Sequence, residues 1–528
     1  MGVYYNPGNG SFVDELKLKI YVDKSMVIRY TNEAIEERNK FLCVSRPRRF
    51  GKSMAADMLV AYYSKGCDSR DLFKGLKIEK EPSFEKHLNK YDVIRMDFAS
   101  FDGMAKESGE NIISVAQQSV CAELKSAFPE AEPLIENSIA NMLIAIKTKY
   151  PKQKFMIVID EYDLIFRNYE NDLKLQERYL YFLNSLFKNG DIKDIISLAY
   201  LTGILPIIRE KAQSKLNEFD NFSMLFPAQF AEFVGFTEEE VKDLCKQYGK
   251  DFSEMKKWYN GYRFGNCIDI YNPRSVVYAI QKNKYDDYWV QTSSAETLFG
   301  YIDYNYEGLQ EDVERLIAGE RIPVKTSRFD NTLTAIKTKD DVLTYFIHLG
   351  YLAYDDIEGK CYIPNYEIKQ EFVNTIEESS KYDYVVKYIN GSKKLLTETW
   401  KENAKYVEAA LDQAHTENTS ILQYNDENSL SAVVSYAYMY ANTYYTIVRE
   451  MPSGKGFADM VFLPVHNDKP ALIVELKFNK TVQTAMGQIK AKNYPDSLKN
   501  YEGEILLVAI NYDKESKKHE CQIERLKK

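Results

Sequence analysis

The sequence predicts an α/β protein in three parts: a parallel sheet covered on both faces over residues 1–235, a mainly helical section over 236–390, and a second α/β region over 391–528. Three observations carry this. Up to about residue 235, short apolar runs alternate with longer amphipathic ones, the pattern of strands and helices taken in turn. A well-marked helix start follows at Phe236-Thr237-Glu238-Glu239-Glu240-Val241. Beyond a polar stretch that includes Glu377-Glu378-Ser379-Ser380-Lys381 and Gly391-Ser392-Lys393-Lys394, period-two alternation returns in Ala471-Leu472-Ile473-Val474-Glu475-Leu476-Lys477. A boundary is expected near 385 to 400.

In the first part, Phe41-Leu42-Cys43-Val44, Val93-Ile94-Arg95-Met96, Phe155-Met156-Ile157-Val158-Ile159 and Ile195-Ile196-Ser197-Leu198-Ala199-Tyr200-Leu201 are short enough for buried strands. In the middle part, Thr237 can cap the helix, Glu240 can reach back to it, and Phe236 can staple onto Val241. Trp258-Tyr259-Asn260-Gly261-Tyr262-Arg263-Phe264 places Asn-Gly between aromatic residues, which suits a tight hairpin.

Composition narrows the class. At 528 residues the chain exceeds what one hydrophobic core usually serves. No apolar stretch approaches the roughly 20 residues needed to cross a bilayer, and Met1-Gly2-Val3-Tyr4-Tyr5-Asn6 lacks a basic region followed by an apolar one, so a cytoplasmic protein with no membrane partner is expected. The 7 cysteines contain no CxxC pair and only 5 histidines are present, which argues against structural zinc and fits reduced thiols. A net charge of −9 excludes a protein that coats nucleic acid over its whole surface, while a local basic groove stays compatible with it.

Two polar clusters carry chemistry. In Arg46-Pro47-Arg48-Arg49-Phe50-Gly51-Lys52-Ser53 the last three residues lie between an apolar strand and the helical run from Met54. A phosphate-binding loop needs that order: backbone N–H groups at a helix N-terminus, a lysine for the β and γ phosphates and a hydroxyl for Mg²⁺. The usual first glycine is replaced by Arg46. The strand ending in Asp160-Glu161 would set Asp160 near that metal and Glu161 near the attacking water. A further strand ends in Thr202-Gly203, and Arg209, on the helix expected to follow, could reach a γ-phosphate.

In the C-terminal region, alternation puts Ile473, Glu475 and Lys477 on one face of a strand. The run from Met460 to Val465 can pair antiparallel with it through the loop 466–470, which returns Asp459 close to Glu475. Asp459 and Glu475 can then hold Mg²⁺ or Mn²⁺, with Lys477 orienting water or stabilising charge on a phosphodiester. Glycines 454 and 456 leave room for a close approach. Glu427, beside the helical stripe Leu430, Val433, Val434, Ala437 and Ala441, is a candidate third carboxylate. Gln488, Lys490 and Lys492 lie on the polar side of a following helix, where they could touch a phosphate backbone.

Taken together, Tyr21-Val22-Asp23-Lys24, the loop from Arg46 to Ser53, Val158-Ile159-Asp160-Glu161-Tyr162-Asp163, Thr202-Gly203-Ile204-Leu205-Pro206 and Trp258 to Phe264 resemble the AAA-ATPase-like family of bacterial proteins whose C-terminal part belongs to the PD-(D/E)XK nuclease superfamily. In that family arginine and proline in place of the first glycine are normal. The resemblance implies a P-loop ATPase domain, a helical lid and a restriction-endonuclease-like domain. It implies ATP at Lys52 and Ser53, Asp160 and Glu161 as the Walker B pair, Glu427 as the helix acid and Gln488 as the helix glutamine. The leading expectation is an ATP-regulated, metal-dependent nuclease acting on nucleic acid, DNA above all, with a further copy or a partner protein to complete its sites. A nucleotide-switched scaffold with a non-cleaving nuclease fold, and a signalling ATPase of defence or mobile-element systems, use the same residues.

Overall fold

The computed structural model describes residues 2–37, 39–206, 209–210, 213–214, 218–265, 267–289, 306–329, 336–378, 383–417, 427–453, 456–464, 469–491, 498, 501 and 503–526. They fall into two compact units, one made of 1–310 with 321–371 and the other of 311–320 with 372–528.

The first unit is built on five strands: β1 (Phe41–Ser45), β2 (Asp92–Asp97), β3 (Phe155–Asp160), β4 (Ile196–Gly203) and β5 (Asp220–Phe222). They lie in the order β2-β3-β4-β1-β5 and every pairing is parallel. Phe41, Cys43, Ile94, Met96, Ile157, Ile159, Ala199 and Leu201 join one core cluster. The residues between them, Leu42, Val44, Val93, Met156, Val158, Leu198 and Tyr200, are buried as well. Apolar side chains on both faces are the reason these runs show no polar alternation. The strand expected at 195–201 extends two residues further, to Gly203.

Helix α1 (Lys52–Tyr63) follows β1 directly, with Gly51 as its N-cap in the left-handed region. In the later part of this unit, α2 (Glu238–Tyr248) has the full capping box between Thr237 and Glu240, and Phe236 and Val241 share a core cluster. Helix α3 (Phe252–Tyr259), the strand pair β6 (Tyr262–Phe264) and β7 (Cys267–Ile270), and α4 (Pro273–Lys282) come next. Asn272 caps α4, with Pro273 in its first turn.

Asn260-Gly261 does not form the expected hairpin turn. Asn260 is the C-cap of α3, and the hairpin of β6 and β7 turns beyond Phe264, which pairs with Cys267. Gly261 is demanded by a different constraint. Its φ is +111°, and a Cβ there would lie 1.9 Å from the Pro364 carbonyl oxygen.

The second unit carries a mixed sheet of β8 (Tyr445–Ser453), β9 (Gly456–Pro464), β10 (Ala471–Phe478), β11 (Ile505–Asp513) and β12 (Lys518–Leu526), in that order. Only the pair β10 and β11 is parallel. Helices α5 (Asp383–Trp400), α6 (Ala404–Glu417) and α7 (Glu427–Ala437) supply Leu395, Leu411, Leu430 and Val434 to a core shared with Leu472, Val474 and Leu476. Helix α8 (Val482–Ala491) packs Val482, Ala485, Met486 and Ile489 with Ile473 and Ala509 in a separate cluster. The polar stretch at 385–400, expected as a boundary, is the interior of α5; its Leu395 and Leu396 are buried, so an amphipathic helix accounts for the polar residues.

Gly261→Ala should lower the thermal unfolding midpoint markedly, since left-handed strain of about 1–3 kcal/mol adds to a backbone clash. Gly265→Ala is the control: its φ is +57° and the nearest atom to a new Cβ is Pro227 Cγ at 3.9 Å, so its shift in differential scanning calorimetry should be clearly smaller.

Candidate functional site

Parallel strands share one carboxyl edge, and the register gathers the predicted residues there. Val44 pairs with Thr202, Ser45 with Gly203 and Asp97 with Asp160. The loop 46–51 leaves from the same edge and enters α1. Lys52 is buried, and its Nζ donates to the Pro47 carbonyl at 3.0 Å. Burial pushes its ammonium below the usual lysine range, while Glu161, Asp160 and Asp163 act the other way. Asp160 is buried, which pushes its carboxyl up to about 6; a hydrogen bond from Ser53 and the charge of Lys52 oppose that rise. Lys52, Ser53, Asp160 and Glu161 are thus one electrostatic cluster. Thr202 is fully buried, and its Oγ1 has no hydrogen-bond partner among the described residues.

The rest of the loop is held by protein. Arg46 is completely buried; its guanidinium donates to the carbonyls of Ser45 at 2.8 Å, Phe222 at 2.9 Å and Phe230 at 3.1 Å, and lies 4.7 Å from the centre of the Phe264 ring. Burial lowers its pKa to about 10. Arg46 is therefore an anchor inside the fold. Arg49, at φ +69°, donates to the carbonyls of Tyr288 and Trp289. The Trp289 indole N–H donates to the Arg48 carbonyl at 3.5 Å, and Phe50 packs edge-on against Tyr262 with ring centres 5.2 Å apart. A loop lacking the usual first glycine is thus braced from outside itself.

That brace rests on a buried carboxyl. Glu367 accepts from the backbone N–H groups of Tyr288 at 2.8 Å and Trp289 at 2.9 Å and from the Ser275 hydroxyl at 2.9 Å. Burial raises it to about 8.

Sequence reasoning missed two residues, Asp163 and Arg167. Asp163 is fully buried and stands just before the short helix Leu164–Asn168, with no side-chain capping bond to it. Its Oδ2 accepts from Arg167 Nε at 2.9 Å and from the N–H groups of Ile204 at 3.1 Å and Leu205 at 2.7 Å. Arg167 also donates to Glu161. The i, i+4 spacing of acid and arginine just after the Asp-Glu pair was the available signal. Arg209 does not lie on a helix: it belongs to a two-residue strand paired with Gln213–Ser214, and its side chain is outside the described residues.

In the C-terminal unit, Met460 pairs with Val474, Val461 with Ile473 and Phe462 with Leu472. Continued by one residue, that register sets Asp459 level with Glu475. The Leu476 N–H, between Glu475 and Lys477 in the chain, donates to Asp459 Oδ2 at 2.7 Å. Glu475 is fully buried, and Lys477 Nζ lies 3.1 Å from its Oε1 and 2.8 Å from the Leu476 carbonyl. Two carboxylates and one ammonium are gathered in a largely buried place. Hard oxygen donors of that kind suit Mg²⁺ or Mn²⁺.

Helix α7, which Glu427 begins, packs on the face formed by Leu472, Val474 and Leu476, opposite to the face of Ile473. The Glu427 side chain lies outside the described residues, as do Gly454 and Lys492. Gln488 is half-buried on α8, and Lys490 is paired with Glu524 at 2.6 Å. Among the described residues, no group of three or more His, Cys, Asp or Glu side chains is arranged to hold a metal ion, and no helix is long and apolar enough to cross a membrane.

Glu367 binds a proton more tightly folded than unfolded, so its contribution to stability is present below about 4.5, where both states are protonated, and is lost as pH rises through about 8. Glu367→Gln should flatten the decline of unfolding midpoint between pH 5 and 8 in calorimetric scans, and an unchanged slope would remove Glu367 as its source.

Residues 15–212 match the family model described as predicted AAA-ATPase, and residues 425–521 match that of the PD-(D/E)XK nuclease superfamily. A curated relative from Azotobacter chroococcum, described as an uncharacterized protein in the vnfD 5′ region, is 23% identical over 291 residues, 52% of this chain. The match spans about half of that relative, 51% of its length. The crystal structure of Cdc6p from Pyrobaculum aerophilum aligns with 69% of this chain and 98% of its own at 10% identity and a TM-score of 0.26. With the parallel and mixed sheets described above, the family matches identify the chain as an AAA-ATPase-like region followed by a region of the PD-(D/E)XK nuclease superfamily.

Proposed function

We propose that the protein is an ATP-regulated nuclease: ATP binds and is hydrolysed at the carboxyl edge of the parallel sheet, and a divalent cation held by Asp459 and Glu475 serves cleavage of nucleic acid, DNA in the first instance. The observation that carries this reading is the Asp459 carboxylate bonded to the backbone between Glu475 and Lys477. That placement combines two acids and a cationic side chain on adjacent strands.

In the N-terminal site, the backbone N–H groups at the start of α1 and the Lys52 ammonium bind phosphate oxygens. Ser53 and Asp160 would hold Mg²⁺ between them. Glu161 orients the attacking water, and the orphan Thr202 hydroxyl offers a polar contact beside it. Arg46 and Arg49 shape the loop through their bonds to carbonyls instead of contacting phosphate.

In the C-terminal site, Asp459 and Glu475 would hold Mg²⁺ or Mn²⁺, which would supply Lewis acidity toward water and the phosphate. Lys477 places positive charge beside that phosphate and compensates Glu475. Removing it would take a cationic partner from a buried carboxylate, so Lys477 variants confound folding with chemistry. Truncating Asp459 removes a cation ligand and leaves the Glu475–Lys477 pair in place. Nucleotide state then governs when cleavage occurs, in a second copy or a partner complex where neighbouring chains complete the ATP site.

Purified protein with supercoiled plasmid and Mg²⁺ should nick it, and Asp459→Ala and Glu475→Ala should each abolish nicking, as should EDTA. Equal cutting by the variants would assign the activity to a contaminant. No cutting by the wild type, with ATP-dependent DNA binding retained, would establish a non-cleaving scaffold. Lys52→Ala should weaken ATP binding at least about ten-fold by isothermal titration calorimetry, because a charge-assisted contact to phosphate is lost. Glu161→Gln should keep ATP affinity while slowing hydrolysis about a hundred-fold or more, the usual worth of a positioned base.

A further inference from the structure

We infer that Arg167 is a positioning residue for ATP hydrolysis, holding the Glu161 carboxylate at the carboxyl edge from a fixed point on Asp163; this inference rests on the ATPase reading above. Neither Arg167 nor Asp163 belongs to the loop or to the Asp160-Glu161 pair.

Glu161 occupies a conformation that its own backbone does not favour. Its φ is +52°, in the left-handed region that side chains with a Cβ rarely adopt. Such a residue persists only where its surroundings over-determine it. Here the Glu161 N–H donates to Asp160 Oδ1 at 2.9 Å, and the Glu161 carboxylate accepts from Arg167.

Arg167 is itself immobilised. Its side chain is 8% exposed, whereas that of Glu161 is 25% exposed and that of Asp163 is 0% exposed. The pairing therefore runs from a rigid, enclosed end toward the accessible one. Asp163 in turn grips the residues just after β4 through the Ile204 and Leu205 N–H groups. A Cβ on Gly203 would come within 2.4 Å of Asp163 Oδ1, so the close approach of that carboxylate depends on glycine at the strand end. One chain of bonds thus connects the end of β4, Asp163, Arg167 and Glu161.

The direction of the effect follows from where Glu161 sits while Arg167 holds it. Its backbone N–H is tied to Asp160 Oδ1 at the carboxyl end of β3, and its charge supports the Lys52 ammonium. Glu161 is therefore held within the field of the phosphate-binding lysine and not drawn away from it. Freed of Arg167, the partly exposed carboxylate would sample other rotamers and lose its fixed relation to the water it orients. Binding of ATP, which relies on Lys52 and the backbone of α1, should be spared.

The test measures steady-state ATP hydrolysis and equilibrium ATP binding on the full chain. Arg167→Ala should lower kcat at least ten-fold with the ATP Kd within two-fold of wild type. Arg167→Lys, which keeps the charge but not the two-armed geometry, should recover part of the rate. In a Glu161→Gln background, Arg167→Ala should produce no further loss, because its effect passes through Glu161. A wild-type rate in Arg167→Ala, a rise in rate, a parallel loss of ATP affinity or a fully additive double variant would each overturn the inference. If Arg167→Ala fails to fold, Arg167→Lys decides alone: an unchanged kcat, or a Kd that shifts with it, overturns the role. A wild-type chain that binds ATP and hydrolyses none, indistinguishable from Glu161→Gln, would overturn the ATPase reading and this inference with it.

Discussion

Parallel strands bring their carboxyl ends to one edge, and the first unit of this protein is organised by that constraint. Because Ser45 pairs with Gly203 and Asp97 with Asp160, a loop, a buried strand-end acid and a strand-end glycine distant in sequence are brought to one edge. Helix α1 begins at the same edge, so its unpaired N–H groups and the field of its dipole are directed there. Every other feature of the candidate site in this unit is an elaboration of this shared edge. Burial of both sheet faces keeps the edge rigid, since no strand can slip without moving a full set of apolar side chains.

Around that edge the protein spends arginines on architecture. Arg46 takes the place of a glycine at the start of the loop, and its three bonds to carbonyls tie β1 to β5 and to Phe230. Arg49 ties the other end of the loop to Tyr288 and Trp289, which Glu367 fixes in turn. A glycine-rich phosphate loop relies on local backbone freedom. This one relies on contacts with segments that follow it in the chain, so its shape belongs to the whole unit and not to the loop alone.

The second unit reaches a comparable result with an antiparallel ladder. The pairing of β9 with β10 runs through Met460 and Val474, and beyond it the Asp459 side chain takes the Leu476 N–H. The Asp459 carboxylate meets a backbone donor between Glu475 and Lys477, and Lys477 pairs with the fully buried Glu475. Burial makes each charge there costly in isolation and effective in combination.

Much of this was legible in the sequence because it is written in short windows. Apolar runs of strand length marked β1 to β4 of the parallel sheet; Thr237 and Glu240 marked a capping box; period-two alternation marked Glu475 and Lys477 as facing alike. What a window cannot hold was decided by tertiary structure. Asn260-Gly261 has the composition of a hairpin turn, but the Pro364 carbonyl, distant in sequence, sets the need for glycine there. Arg209, expected on a helix, is in a short strand, and Arg46, read as the replacement for the first glycine of the loop, is committed to carbonyls up to 184 residues away. Residue type and periodicity are local properties and determine which elements form and which chemical groups they carry. The partners of those groups depend on how the chain closes on itself, and only the folded structure contains that information.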